Sequence, residues 1–89
     1  MANNQSIAEE ILKNIGGSDN VKNLTHCMTR LRFVLKDESK ANDEGIKNID
    51  GVMGLRKQGG QYQVIVGNNV SKTYTELMKL GVSGGAKSN

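Results

Sequence analysis

An 89-residue chain with a single cysteine and a net charge of +3, from 12 Lys+Arg against 9 Asp+Glu, has room for one small domain and none for an internal disulfide. No apolar run approaches the ~20 residues of a membrane span, and the opening residues lack the charged and apolar regions of a signal peptide, so the domain reads as soluble and cytoplasmic. Mild basicity suits an anionic substrate or an acidic protein surface, while aromatics at 3% (Phe33, Tyr62, Tyr74) leave a base-stacking nucleic-acid platform short of rings.

Residues 1–5 are polar and read as frayed. Ser6-Ile7-Ala8-Glu9 fits a capping box, and Ile7, Ile11, Leu12 and Ile15 follow at helical spacing. Gly16-Gly17 ends this helix, and Ser18-Asp19-Asn20 is a polar connection. Val21 to His26 reads as a strand, and a turn through Cys27 and Met28 reverses the chain. Thr29 to Lys36 is the clearest strand: Leu31, Phe33 and Leu35 share one face, Arg30, Arg32, Val34 and Lys36 the other. The first set is the core side and the second an open or partner-facing side.

Asp37 to Lys40 is a solvated turn. Asn42 caps a short helix with Asp43 and Glu44 in its first turn and Ile46 and Ile49 facing inward. Val52 to Lys57 is a third strand, Gly59-Gly60 a hairpin turn, and Gln61 to Val66 a fourth strand with Tyr62, Val64 and Val66 on one face. Val70, Tyr74, Leu77 and Met78 mark a last helix that Gly81 ends. The domain is expected over 1–80, and 81–89 has the composition of a linker. The order α-β-β-α-β-β-α, with each strand pair joined by a short turn, points to an α+β fold: one four-stranded antiparallel sheet with its helices on one face.

The stretch from Leu24 to Leu35 carries the chemistry. It holds the lone Cys27, the lone His26, and two arginines at alternate positions, Arg30 and Arg32. A thiolate is a strong nucleophile once its pKa falls, and nearby guanidinium groups or converging backbone N–H groups lower it. The amides of Met28, Thr29 and Arg30 can form an anion nest after Cys27, and the Thr29 hydroxyl is a further donor. Each arginine offers a planar fork matched to phosphate oxygens. The pattern fits a site that makes and holds a thiophosphate. The plainer alternatives are a core cysteine and a solvated arginine face, and the polar neighbours Thr25, His26 and Thr29 weigh against the first. His26 and Cys27 fall on opposite strand faces, which suits His26 to a structural or modulating role. No second Cys or His completes a zinc site, and Gly51-Val52-Met53-Gly54 lacks the end of a Walker loop, so neither metal nor cofactor is expected.

Cys27-Met28-Thr29-Arg30-Leu31-Arg32-Phe33 resembles the phosphorylation-site motif of enzyme IIB domains of the phosphoenolpyruvate-dependent sugar phosphotransferase system, glucose/glucoside type. Gly16-Gly17 with Asn20-Val21, Asp50 to Gly54, and Gly60 to Gly67 resemble the family's flanking segments, nearest its β-glucoside, sucrose and trehalose branch. The resemblance implies a two-layer sandwich with sheet order 1-2-4-3. It implies that Cys27 takes a phosphoryl group from a phosphohistidine of an enzyme IIA domain and yields it to a sugar in a membrane IIC domain, at the cytoplasmic face of a permease. Met28, Thr29, Arg30 and Arg32 would bind or transfer the phosphate, with Arg30 the first choice for its equatorial oxygens and Arg32 for the phosphate or an acidic partner surface. Two other readings stay open from the residues: a small basic nucleic-acid-binding module, and a docking domain for a regulator protein.

Overall fold

The computed structural model describes residues 3–82. The chain runs α1 (Asn4–Asn14), β1 (Val21–His26), β2 (Arg30–Leu35), α2 (Asp43–Lys47), β3 (Gly54–Gln58), β4 (Gln61–Ile65) and α3 (Val70–Lys79), with single 3-10 turns at Ser18–Asn20, Glu38–Lys40 and Gly67–Asn69. All strand pairs are antiparallel, in the order β1-β2-β4-β3. The α+β arrangement expected from patterning is the one found.

The alternation in β2 sets the layers. Leu31, Phe33 and Leu35 are buried, as are Leu24 of β1 and Tyr62 and Val64 of β4. Ile7, Ile11 and Ile15 with α1, Ile46 and Ile49 with α2, and Val70 and Leu77 of α3 complete one cluster. Leu24, Leu31, Phe33, Ile11, Ile15 and Leu77 are each 0% exposed, and burying each contributes roughly 1.5–3 kcal/mol. Leu24 faces Phe33, and Phe33 faces Tyr62 across the next ladder, so the core row crosses β1, β2 and β4. One residue along, Thr25, Arg32, Gln63 and Arg56 form the parallel row on the opposite face.

Four local expectations shift. α1 starts at Asn4, ahead of the expected box at Ser6, because Asn3 Oδ1 accepts the Ser6 N–H at 2.8 Å. Asn caps as well as Ser does, so the earlier residue takes the role, and Asn4 and Gln5 are helical rather than frayed. β2 begins at Arg30, since Thr29 belongs to the turn, and ends at Leu35. β3 begins at Gly54, since the Val52 N–H turns back to the Ile49 carbonyl at 3.0 Å. In α3 Thr73 joins Leu77 as a fully buried position, its Oγ1 donating to the Asn69 carbonyl at 3.0 Å, and Tyr74 and Met78 are only half-buried. The Gly59-Gly60 turn has φ of 59° and 79°, the double left-handed geometry that a two-residue hairpin loop requires. Past the end of α3, Val82 is 3% exposed and its N–H lies 3.3 Å from the Leu77 carbonyl; the linker-like stretch beyond Val82 lies outside the described residues.

Candidate functional site

The turn between β1 and β2 is fixed from within and from below. The Cys27 N–H donates to the Arg30 carbonyl at 3.0 Å, closing the hairpin. The Thr29 carbonyl accepts the Val66 N–H at 2.9 Å and the Gly67 N–H at 3.0 Å, which ties the turn to the end of β4. Met28 is 86% exposed, so only its backbone belongs to the turn. Cys27 follows a strand end, on neither the core row nor a helix, and it is half-buried with its thiol free.

Several groups act on that thiol, and together they hold it below its ordinary pKa. The largest influence is the Thr29 backbone N–H; burial opposes it; the Arg30 backbone N–H and the Arg32 guanidinium, as donor and as charge, add to it. Thr29 and Arg30 therefore act on the thiol through their main-chain N–H groups; the Met28 N–H, expected in the same nest, is not among the groups that act on it.

The two arginines part company. Arg32 is the guanidinium that acts on Cys27, and its buried Nε has no hydrogen-bond partner among the described residues. The Arg30 side chain turns instead along the sheet, where Nη1 donates to Gln63 Oε1 at 2.8 Å. The structure thus brings together Cys27, the Thr29 and Arg30 amides, and Arg32; the Arg30 guanidinium is not among the groups that act on the thiol and is held by Gln63. Gln63 was not singled out by sequence reasoning. The one available signal was its parity: Gln61 and Gln63 alternate with Tyr62 and Val64, which puts an amide row under the arginines.

His26 lies on the helix side, opposite Leu31 in the ladder. Its ring packs on Tyr74 with centroids 4.5 Å apart and planes at 56°. Nδ1 is 3.1 Å from the Cys27 carbonyl. A carbonyl can only accept, so Nδ1 carries the hydrogen in that bond. His26, Cys27, Met28, Asn68, Val70 and Ser71 line a shallow open depression, and the first turn of α3 borders it. Asn69 makes no side-chain capping bond there, and the N-terminal end of a helix favours an anion.

No carboxylate occurs in any of the four strands. The uncovered face, with Arg30, Arg32 and Arg56, is accordingly cationic. Among the described residues no group of three or more His, Cys, Asp or Glu stands where it could hold a metal ion. None of the described helices is long and apolar enough to cross a membrane.

Residues 9–42, which include the whole turn and both arginines, match the family model described as phosphotransferase system, EIIB. Over 77 residues, 86% of the chain, it is 47% identical to a PTS system beta-glucoside-specific EIIBCA component of Halalkalibacterium halodurans, of which the match covers 12%. Over 79 residues, 88% of the chain, it is 48% identical to a PTS system sucrose-specific EIIBC component of Staphylococcus xylosus, of which 16% is covered. The chain therefore spans less than a fifth of the length of these relatives. A crystal structure of one domain of the PTS system IIabc component from Clostridium difficile superposes with a TM-score of 0.87 at 39% identity, over 99% of this chain and 96% of that one.

Proposed function

Since the chain belongs to the EIIB family of the phosphotransferase system, we propose that Cys27 is its phosphoryl carrier, accepting from a phosphohistidine of an EIIA domain and donating to a sugar held by a membrane EIIC domain. The observation that carries this reading is the half-buried Cys27 thiol with its pKa lowered by the Thr29 and Arg30 amides and by Arg32. The names of the relatives join B to C, and in some cases to A, in one polypeptide, which supports the same two partners for this chain and a working position at the cytoplasmic face of the membrane.

The steps balance without a metal. In the first, a sulfur lone pair attacks phosphorus, the S–P bond forms, and the P–N bond breaks with its electron pair returning to the histidine ring. In the second, a sugar hydroxyl oxygen attacks phosphorus, the S–P bond breaks, and the thiolate leaves; the hydroxyl proton passes to a base on the sugar side. Such transfers need in-line geometry and stabilised equatorial oxygens more than covalent help. Arg32, which acts on the sulfur, would meet those oxygens as well. Its Nε is a buried donor awaiting an acceptor, and a phosphoryl oxygen would supply one. The Thr29 and Arg30 amides, which act on the thiol, would donate to the same oxygens, and the Met28 amide and Arg30 side chain are assigned to the same task.

The nucleic-acid alternative gains nothing from the fold. Phe33 and Tyr62 are fully buried, and Tyr74 packs on His26 on the helix side, so none of these rings stands on the arginine face. The experiment is to incubate the chain with phosphoenolpyruvate, the general phosphotransferase proteins and a cognate EIIA domain, and to measure its intact mass. One added phosphoryl group, absent from Cys27→Ser, is expected. Phosphorylation that persists in Cys27→Ala overturns the reading.

A further inference from the structure

Gln63 sits on the sheet face that none of the described helices covers, yet it is 5% exposed. Arg32 flanks it in the ladder on one side and Arg56 on the other, and the Arg30 side chain reaches it from the diagonal position. Both ends of its amide are used. Oε1 accepts from Arg30 Nη1 at 2.8 Å, and Nε2 donates to Gln61 Oε1 at 2.9 Å. Chemistry fixes this orientation: a guanidinium can only donate, so Gln63 must turn its oxygen to Arg30, and its nitrogen then faces Gln61. A buried, doubly bonded amide is a rigid anchor, and it holds a long flexible cation that would otherwise sample many rotamers.

We propose that Gln63 is a positioning residue for phosphoryl transfer: anchored by Gln61, it holds the Arg30 guanidinium in a fixed place on the sheet face that Arg32 shares, to meet the phosphoryl group on Cys27. The inference rests on the carrier reading above. Glutamine suits the task because it is neutral. It lets three like charges crowd one face while leaving each available to an anion, whereas a carboxylate in its place would pair with them and cancel the charge the incoming phosphate needs. The role runs through Arg30, the one cation hydrogen-bonded to Gln63 among the described residues.

The test is a double-mutant cycle on the full chain, reading steady-state phosphoryl transfer from the EIIA donor through Cys27 to a sugar supplied with a membrane EIIC domain. Gln63→Met keeps the volume of the side chain and removes both hydrogen bonds. It is expected to lower kcat about tenfold with a smaller change in KM, as for an interaction made mainly in the transition state. In the Arg30→Ala background the same substitution should have no further effect, because its only route is through Arg30. Gln61→Met, at a half-exposed site, should give a weaker version of the same loss and also vanish without Arg30. The pH profile of Cys27 alkylation by iodoacetamide should be unmoved by Gln63→Met. Additive losses of Gln63→Met and Arg30→Ala, or a shifted alkylation profile, would overturn the proposal, as would unchanged kcat in Gln63→Met. A wild-type chain that takes no phosphate at all would instead defeat the carrier reading beneath it.

Discussion

The Gly67 N–H meets the Thr29 carbonyl at 3.0 Å, and that bond joins the β1–β2 turn to the end of the neighbouring strand β4. Gly67 can make it because its φ is +70°, a region that costs a residue with a Cβ roughly 1–2 kcal/mol. A Cβ at this position would also come within 3.0 Å of Met53 Cε and 3.1 Å of Met53 Sδ. Met53 is 75% exposed, so its end can move aside. The backbone conformation is the larger obstacle.

Gly67→Ala is therefore expected to lower stability by about 1–2 kcal/mol. Adding Met53→Ala should recover only a small part of it. In urea unfolding the double variant would stay well below wild type. A double variant as stable as wild type would show that the methionine contact, and not the left-handed backbone, was the constraint.

The thiol gives a separate prediction. Arg32→Gln removes the guanidinium that acts on Cys27, so the thiol pKa should rise and alkylation at pH 7 should slow by roughly 3- to 10-fold. Arg30→Gln keeps the Arg30 backbone N–H, the part of that residue that reaches the sulfur, so its alkylation profile should overlay that of wild type. The pH dependence of iodoacetamide labelling separates the two. Equal shifts in both variants would mean that the arginines act as a diffuse positive field.

Those two arginines show where sequence reading stops. The alternation of Leu31, Phe33 and Leu35 against Arg30, Arg32 and Val34 is a local property of one strand, and it carried the layers, the open face and the position of the turn. Which guanidinium meets the sulfur is not local. It depends on a residue 33 positions away, Gln63, which captures Arg30 and leaves Arg32 beside Cys27. The capping of α1 was misplaced for a smaller reason: Asn3 and Ser6 are both competent caps, and only the backbone entry angle chooses between them. The same limit hid Asn20, which in sequence is one of three polar connecting residues.

Asn20 is 3% exposed and uses every polar atom of its side chain. Its Nδ2 donates to the Ile15 carbonyl at 2.7 Å and to the Asp37 carbonyl at 2.9 Å, and its Oδ1 accepts the Asp37 N–H at 2.9 Å. It therefore pins the end of α1, the start of β1 and the exit of β2 together. Asn20→Ala strands those partners and should cost about 2–4 kcal/mol, by chemical denaturation. Alkylation of Cys27 in the folded fraction should be unchanged, because the thiol lies at the opposite end of β1. Loss of thiol reactivity in step with stability would refute the separation of the two ends.

Asp43, Lys57 and Tyr62 set the response to pH. Asp43 Oδ2 is 2.6 Å from Lys57 Nζ, and Asp43 Oδ1 accepts the Tyr62 hydroxyl at 2.8 Å. The Lys57 bond first, then the Tyr62 bond, hold the Asp43 carboxyl below its usual range, against the opposing effect of burial. A carboxyl with a depressed folded pKa adds stability that is complete above its unfolded value, about 3.9, and is lost as pH falls through the folded value. The Asp43 side chain is 35% exposed, which keeps the gain under about 1 kcal/mol. Tyr62 has the reverse sign. Burial first, then Asp43, push its phenol above the ordinary range, so its contribution is intact below about pH 10 and fades as pH rises through the folded value. Urea midpoints between pH 2 and 11 should show Asp43→Asn weaker than wild type at pH 5–8, with the two curves converging toward pH 2. Tyr62→Phe should lower the whole curve by the lost hydrogen bond and flatten its alkaline fall. Curves for Asp43→Asn and wild type that run parallel from pH 5 down to pH 2 would show that the carboxylate is not held by its two partners in solution.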